Sequence, residues 1–125
     1  MREKALEKKV WAVVGATNKK EKYGNKIFKA LVKKGYTVYP ISPNYKEIEG
    51  VKAYRTLKEV PEQIDVADFV VKPNIGIKSI QDAKKAGIET VWLQPGASSK
   101  EIIEFAEDNE IIIIDDCVIK ALRSE

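Results

Sequence analysis

The residues best suited to chemistry lie in one glycine-bounded segment near the N-terminus, Gly15–Gly24. This segment leaves an apolar run of strand length and enters a helical pattern, where backbone N–H groups and the helix dipole favour a phosphate. Thr17 and Asn18 offer side-chain donors at this point. Gly24 and Asn25 would let the backbone approach an anion closely. The segment therefore predicts a phosphate-binding loop, with positive charge from Lys19, Lys20, Lys22 and Lys26.

Two better-known phosphate-binding motifs are absent from this loop. A dinucleotide fingerprint requires its second and third glycines where the chain has Thr17 and Lys20. A P-loop would end in Gly-Lys-Ser or Gly-Lys-Thr, which the segment does not contain. A plain strand-to-helix turn with surface lysines therefore remains the alternative to a phosphate site.

The end of the second apolar strand narrows the choice of nucleotide. A protein that binds NAD favours an Asp or Glu here, because a carboxylate bonds the ribose hydroxyls. The chain instead has Ile41–Lys46, with no acidic residue before Glu47. Small polar side chains followed by Lys46 favour a ribose that carries a phosphate, as in NADP and coenzyme A.

Three further strand ends complete the candidate site. Val70–Asn74 supplies apolar surface and one cation, and Trp92–Gly96 supplies the amide side chain of Gln94. Asp115 and Asp116 follow the fifth strand, but neighbours in an extended chain point to opposite sides. A metal site or phosphoacceptor built on this pair is therefore disfavoured, and we expect no bound metal.

The composition excludes several classes of enzyme. The 125 residues include no histidine and a single cysteine, Cys117. The lack of histidine removes Ser-His triads, imidazole zinc sites and phosphohistidine relays from this chain. No apolar run approaches the roughly 18 residues of a membrane span, so we expect one cytoplasmic domain over residues 1–125 with no membrane partner.

The charge is concentrated at the N-terminal end. Residues 1–34 carry 11 Lys and Arg against 3 Asp and Glu, a net charge of +8, whereas residues 35–125 have a net charge of −5. A basic segment of this kind favours an anionic partner. Nucleic acid is disfavoured, because no recognised reading helix or stacking platform accompanies the basic residues.

The elements that must position these residues alternate between apolar strands and helices. The strands are continuous apolar runs rather than alternating polar and apolar residues. They therefore predict a parallel sheet covered on both faces, in an α/β, doubly wound domain. We predict the strand order 3-2-1-4-5, with 2-1-3-4-5 as the alternative. The first order would open the ligand crevice between the loops after strands 1 and 4. The predicted strands are Val10–Val14, Tyr36–Ile41, Val66–Val71, Thr90–Leu93 and Ile111–Ile114.

An ordered set of motifs resembles a known family. The chain is similar to the small stand-alone CoA-binding proteins, which have a Rossmann-like fold, and to the N-terminal domain of the succinyl-CoA ligase alpha subunit. The similarity runs from about Val10 to Cys117, with a motif at every strand end. The motifs are Gly15-Ala16-Thr17-Asn18, Tyr23-Gly24-Asn25, Pro40-Ile41-Ser42-Pro43-Asn44, Phe69-Val70-Val71-Lys72-Pro73, Trp92-Leu93-Gln94-Pro95-Gly96 and Cys117.

The resemblance implies a path for coenzyme A across these motifs. It places the pyrophosphate on the loop Gly15–Asn18 and Asn25, the adenosine 3′-phosphate near Ser42–Asn44 and Lys46, and the adenine against Val71–Pro73. The pantetheine arm would then pass Gln94–Gly96 towards Cys117. Members of the family often have Arg immediately before this cysteine, whereas this chain has Asp116. An acid there would repel the anionic ligand.

The expected function is therefore binding of coenzyme A or acyl-CoA, without catalysis by this chain. An NADP-dependent oxidoreductase is the first alternative, although no evident proton donor or substrate domain accompanies the site. The second alternative is a non-catalytic regulatory or subunit-interaction module. The sequence does not select an oligomeric state.

Overall fold

A computed structural model describes residues 2–123 as a parallel β-sheet with helices on both faces. The strands are β1 (Val10–Val14), β2 (Thr37–Ile41), β3 (Glu47–Ile48), β4 (Val51–Lys52), β5 (Val66–Phe69), β6 (Thr90–Leu93) and β7 (Ile112–Asp115). The helices are α1 (Arg2–Glu7), α2 (Tyr23–Lys33), α3 (Pro73–Lys85), α4 (Lys100–Asp108) and α5 (Val118–Arg123), with one 3-10 turn at Leu57–Glu59. The predicted α/β class with five parallel strands is confirmed.

The predicted strand order is wrong. The five parallel strands lie in the order β2-β1-β5-β6-β7, with β3 and β4 forming a separate antiparallel hairpin. Numbered along the five predicted strands, this is the alternative order 2-1-3-4-5. The chain therefore reverses between β1 and β5, so the crevice opens between the loops after these two strands rather than after β1 and β6.

The segment that follows β2 explains the difference. Tyr54 forms a single parallel bridge with Ile41 on the outer edge of β2. Its carbonyl accepts a hydrogen bond from the N–H of Ser42 (2.8 Å), and its own N–H bonds the carbonyl of Pro40 (2.9 Å). Because this bridge occupies the edge where a third strand would pair, β5 pairs with the other side of β1. The predicted order placed the strand Val66–Val71 on this outer edge of β2, where the structure has only the Tyr54 bridge.

Both faces of the sheet are buried, as the apolar strands predict. On β1, Trp11 and Val13 belong to a cluster that packs with α2 and α5. Ala12 and Val14 belong to a second cluster, which includes residues of α3 and α4. The rigid sheet therefore fixes the positions of the loops at its carboxyl edge.

The start of α3 differs from the predicted elements and matters for the site. The predicted third strand extends to Val71, but β5 ends at Phe69 and α3 begins at Pro73, which occupies the first turn. Val70, whose N–H still donates to the Val14 carbonyl (2.8 Å), and Val71 therefore follow the strand and line the crevice. Helix α4 is capped as expected for a serine, with the N–H of Ile102 donating to Ser99 Oγ (3.2 Å). None of the helices within residues 2–123 has the length and apolar character needed to cross a bilayer.

Candidate functional site

A cavity of about 840 Å³ opens at the carboxyl edge of the sheet. Its floor is formed by the ends of β1 and β2, and its sides by the loop after β1, by Val70 and Val71, and by α3. This first cavity lies where the chain reverses between β1 and β5, which is the general place for ligands in open α/β sheets.

The loop after β1 depends on two glycines that pack against their neighbours. Gly15 has φ +96°, and a Cβ added there would lie 2.4 Å from the carbonyl oxygen of Val70. A Cβ on Gly24 would lie 2.1 Å from the carbonyl oxygen of Gly15. The start of α2 therefore lies directly on the loop, at a separation that no side chain permits.

The N-terminal end of α2 is open to an anion. No side chain caps this helix at Lys22, and its first turn carries no acidic residue. The unpaired N–H groups and the dipole of an 11-residue helix favour negative charge at this end. The first turn also brings Tyr23 and Gly24 to the cavity wall.

Two asparagines predicted to be ligands brace the loop. Asn25 is buried, and its Nδ2 donates to the carbonyl oxygen of Thr17 (2.9 Å) and to Glu49 Oε2 (2.8 Å). Asn18 Nδ2 donates to the carbonyl oxygen of Glu47 (2.8 Å), and its Oδ1 accepts from the N–H of Glu49 (2.9 Å). Both side chains therefore tie the loop to the β3–β4 hairpin, and neither lines the cavity.

Cations surround the first cavity on several sides. Lys19 and Lys22 come from the loop after β1, Arg55 from the segment beyond the Tyr54 bridge, and Lys78 from α3. Sequence reasoning missed Arg55 and Lys78. Ile75, Lys78, Ser79 and Asp82 recur at helical spacing along one stripe of α3, and this periodicity is the signal that could have indicated a cavity-facing surface.

A second cavity of about 370 Å³ adjoins the first. The two share Tyr23, Val70 and Val71 as walls. The second cavity brings together Gln94 after β6 and Cys117 after β7, as the sequence predicts for a shared sheet edge. Its remaining lining residues are Lys72, Pro95, Gly96, Ala97 and Lys120.

The acid beside Cys117 is paired with an arginine. Arg2 donates from its guanidinium to Asp116 Oδ2 at 2.8 Å, which ties α1 to the loop after β7. This hydrogen bond and the one from the Cys117 N–H lower the pKa of Asp116. The negative charge that stands in place of the family's frequent Arg is thus compensated, so the expected repulsion of an anionic ligand is reduced.

Comparison with known proteins identifies the family. Residues 9–123 match the family model described as a CoA binding domain. The chain belongs to this family of CoA-binding domains. A solved structure of a conserved hypothetical protein from Pyrococcus furiosus superposes on this CoA-binding domain with a TM-score of 0.87 and 41% identity, over 91% of this chain and 99% of that chain.

The curated relatives include much longer proteins. The CoA-binding domain is 30% identical over 115 residues to acetate–CoA ligase [ADP-forming] I of Archaeoglobus fulgidus, and the match covers 84% of this chain and 17% of the ligase. It is 38% identical over 102 residues to the acetate–CoA ligase [ADP-forming] of Methanocaldococcus jannaschii, covering 80% of this chain and 14% of that protein. The chain therefore spans less than a fifth of the length of these two ligases.

The predicted site residues of this CoA-binding domain fall into three groups. The residues that line the first cavity are Gly15, Ala16, Thr17, Lys22, Tyr23, Gly24, Ser42, Pro43, Asn44 and Val71. Those that line the second cavity, some of them shared, are Tyr23, Val71, Lys72, Gln94, Pro95, Gly96 and Cys117. Four predicted residues line neither cavity: Asn18, Asn25, Lys46 and Pro73.

Proposed function

We propose that the domain binds coenzyme A or acyl-CoA along the carboxyl edge of its sheet. The observation that carries this proposal is the first cavity, which joins the uncapped start of α2 to cations on several sides. An elongated ligand with several phosphates fits a cavity that is lined in this way. Membership of the CoA-binding domain family supports the same ligand.

The two cavities suggest where each part of the ligand would lie. The pyrophosphate would lie at the loop after β1 and the start of α2, and the adenosine would extend towards Ser42 and α3. Arg55 is the guanidinium available to the 3′-phosphate at this end. The pantetheine arm would pass Tyr23 and Val71, which both cavities share, and enter the second cavity. The domain would act in this proposal as a binding module without a reaction of its own.

The end of β2 supports CoA over NAD. Ser42 is buried there and its Oγ accepts a hydrogen bond from the N–H of Asn44 (3.2 Å). The residues after β2 that line the cavity are Ser42, Pro43, Asn44 and Tyr45, and none of them carries a carboxylate. A protein that binds NAD favours a carboxylate here for the ribose hydroxyls. A phosphorylated ribose would instead meet small polar groups and Arg55.

Thermal denaturation with added ligand tests the proposal. CoA at about 100 times its dissociation constant should stabilise the domain by roughly 2.7 kcal/mol, and NAD at the same concentration should not. NADP serves as a third ligand, because its adenosine ribose also carries a phosphate, on the 2′ rather than the 3′ oxygen, but it lacks the pantetheine arm. Equal stabilisation by NAD, or none by millimolar CoA, would contradict the proposal, and stronger stabilisation by NADP than by CoA would favour the oxidoreductase alternative. Native mass spectrometry of the purified protein gives an independent readout through retained CoA.

A further inference from the structure

The side chain of Gln94 is fixed by one of its two polar ends. Gln94 lies at the carboxyl end of β6 and is only 5% exposed. Its Oε1 accepts a hydrogen bond from the N–H of Val118 at 3.1 Å, at the first residue of α5. A backbone N–H requires an acceptor, so the carboxamide oxygen must face Val118 and the Nε2 must face away from it.

The other end of this amide has no protein partner. Among the described residues, no hydrogen bond reaches Gln94 Nε2. The only side-chain polar atoms of residues 2–123 that are both enclosed and unpartnered are the carboxyl oxygens of Asp68. The Nε2 group therefore reaches open space, and the space that Gln94 lines is the second cavity. A donor in this position is free to bond an acceptor that enters the second cavity, in place of water.

The walls of the second cavity indicate which part of a ligand enters it. Val70, Val71, Pro95 and Ala97 provide apolar surface, and Cys117 lies at the loop after β7. Because Tyr23 and the two valines are shared with the first cavity, one ligand can extend from the phosphate loop into this space. The part of CoA that lies farthest from its phosphates is the sulfur and whatever is attached to it.

We infer that the second cavity is an acyl pocket, in which Gln94 Nε2 donates a hydrogen bond to the carbonyl oxygen of a CoA thioester. The preferred ligand is then a short-chain acyl-CoA rather than free CoA, with the acyl chain against Val70, Val71 and Ala97. This inference rests on the proposed function, since it assigns the group carried by the CoA sulfur. An acceptor is present in a thioester and absent from a free thiol or a thioether at the same position.

Three ligands isolate the carbonyl group in a calorimetric experiment. Free CoA, propionyl-CoA and S-propyl-CoA share the nucleotide and pantetheine. The last two carry a three-carbon chain on the sulfur and differ only in the carbonyl group. We expect the wild-type domain to bind propionyl-CoA about fivefold more tightly than S-propyl-CoA, the ratio expected for one hydrogen bond. This comparison requires no variant, and equal affinities for the two ligands overturn the inference.

The variant Gln94→Glu then tests the named atom. It retains an acceptor for the Val118 N–H but replaces the donor with an oxygen that can only accept once the carboxyl group is ionised, so the ratio is measured at both pH 8 and pH 9. The ratio between propionyl-CoA and S-propyl-CoA should fall to one or below. The exposed Gln81→Glu on α3 makes the same chemical change outside both cavities and should leave the ratio at about five.

The outcomes separate this inference from the proposed function. If Gln94→Glu weakens all three ligands by the same factor, the amide contacts the pantetheine arm and the acyl assignment is wrong. If the variant keeps the wild-type ratio, Gln94 does not contact the thioester. If wild-type protein binds none of the three ligands, the proposed function itself fails.

Discussion

At the scale of single residues, the contact between Gly24 and Gly15 sets the shape of the loop after β1. We predict that Gly24→Ala lowers the free energy of unfolding by about 1–3 kcal/mol, because a Cβ would lie 2.1 Å from the Gly15 carbonyl oxygen and force the backbone apart. The same shift should weaken CoA binding at least tenfold. Guanidinium denaturation and calorimetry measure the two effects.

Gly76→Ala is the matched control for this variant. Gly76 is also helical and buried, but an added Cβ would meet the flexible end of Ile102 at 3.1 Å rather than backbone. The gain in helix propensity, about 1 kcal/mol, offsets this contact, so stability and CoA affinity should change little. If both variants lose the same stability and CoA affinity, the close approach of α2 to the loop is not the reason that position 24 requires glycine.

Asp68 provides a pH-dependent prediction. Its carboxyl group is fully buried without a hydrogen-bond partner, paired across the sheet with Val13 and Trp92, and this burial raises its pKa well above the ordinary value. The folded state therefore holds a proton that the unfolded state releases above about pH 4. Stability should fall as pH rises from there towards the raised pKa, by about 1.4 kcal/mol per pH unit from this group.

Asp68→Asn checks the sign of this effect. The amide has nearly the shape of the protonated acid and does not ionise, so the variant should gain stability relative to wild type as pH increases from 5 to 8. Chemical denaturation of both proteins across that range gives the difference. Parallel pH profiles would show that Asp68 is not held in its neutral form.

Arg55 carries a prediction about ligand recognition. It lines the first cavity near Ser42, whereas Lys46, the residue indicated by the resemblance, lies outside it. We expect Arg55→Gln to weaken CoA more than dephospho-CoA, because a charge-assisted contact to the 3′-phosphate contributes about 1.5–3 kcal/mol. Lys46→Gln should change the two affinities by a smaller factor. A larger effect at Lys46 than at Arg55 in calorimetry would reverse this assignment.

At the scale of elements, buried strands were predictable and long-range connections were not. The continuous apolar run Val10–Val14 indicates a strand buried on both faces, and β1 has these bounds. The strand order was not predictable because a single bridge at Tyr54 occupies the outer edge of β2, which leaves the free edge of β1 for β5. Helix α1 was also missed, since only Ala5 and Leu6 of its six residues are buried and the segment is otherwise charged.

The same distinction applies to the candidate site. The position of the predicted phosphate-binding loop follows from glycines and lysines that are close in sequence. The roles of Asn18 and Asn25 do not, because their partners lie on the β3–β4 hairpin more than 20 residues away. A polar side chain beside a loop suits a ligand contact and a structural brace equally well until its partners are known.

The hairpin brace can be tested by removing one side chain. Asn25→Ala leaves the Thr17 carbonyl and the Glu49 carboxylate without their shared donor, so we expect a loss of about 1–3 kcal/mol in the free energy of unfolding. CoA affinity should also decrease although Asn25 does not line the cavity, because the loop after β1 loses its tie to the hairpin. Unchanged stability with reduced affinity would instead indicate a direct ligand contact.

At the scale of the whole molecule, we expect the uneven charge of the chain to govern how an anionic ligand is held. Lys19 and Lys22 bring part of the basic segment 1–34 to the first cavity, and Arg55 and Lys78 add charge from the acidic remainder. These cations are exposed, so salt screens them. The Debye length falls from about 10 Å at 0.1 M ionic strength to about 3 Å at 1 M.

We therefore predict that CoA affinity falls as sodium chloride rises from 0.05 to about 0.5 M, and that the difference between CoA and dephospho-CoA narrows over the same range. CoA carries the 3′-phosphate near Arg55, and dephospho-CoA lacks it. Because salt screens the attraction between this phosphate and Arg55, CoA should lose more affinity than dephospho-CoA as salt rises. Calorimetry at several salt concentrations measures both slopes. Pantetheine is the control, since it is uncharged and its weaker binding should depend little on salt. A CoA affinity that does not change with salt would place the phosphates away from the lysines of the first cavity.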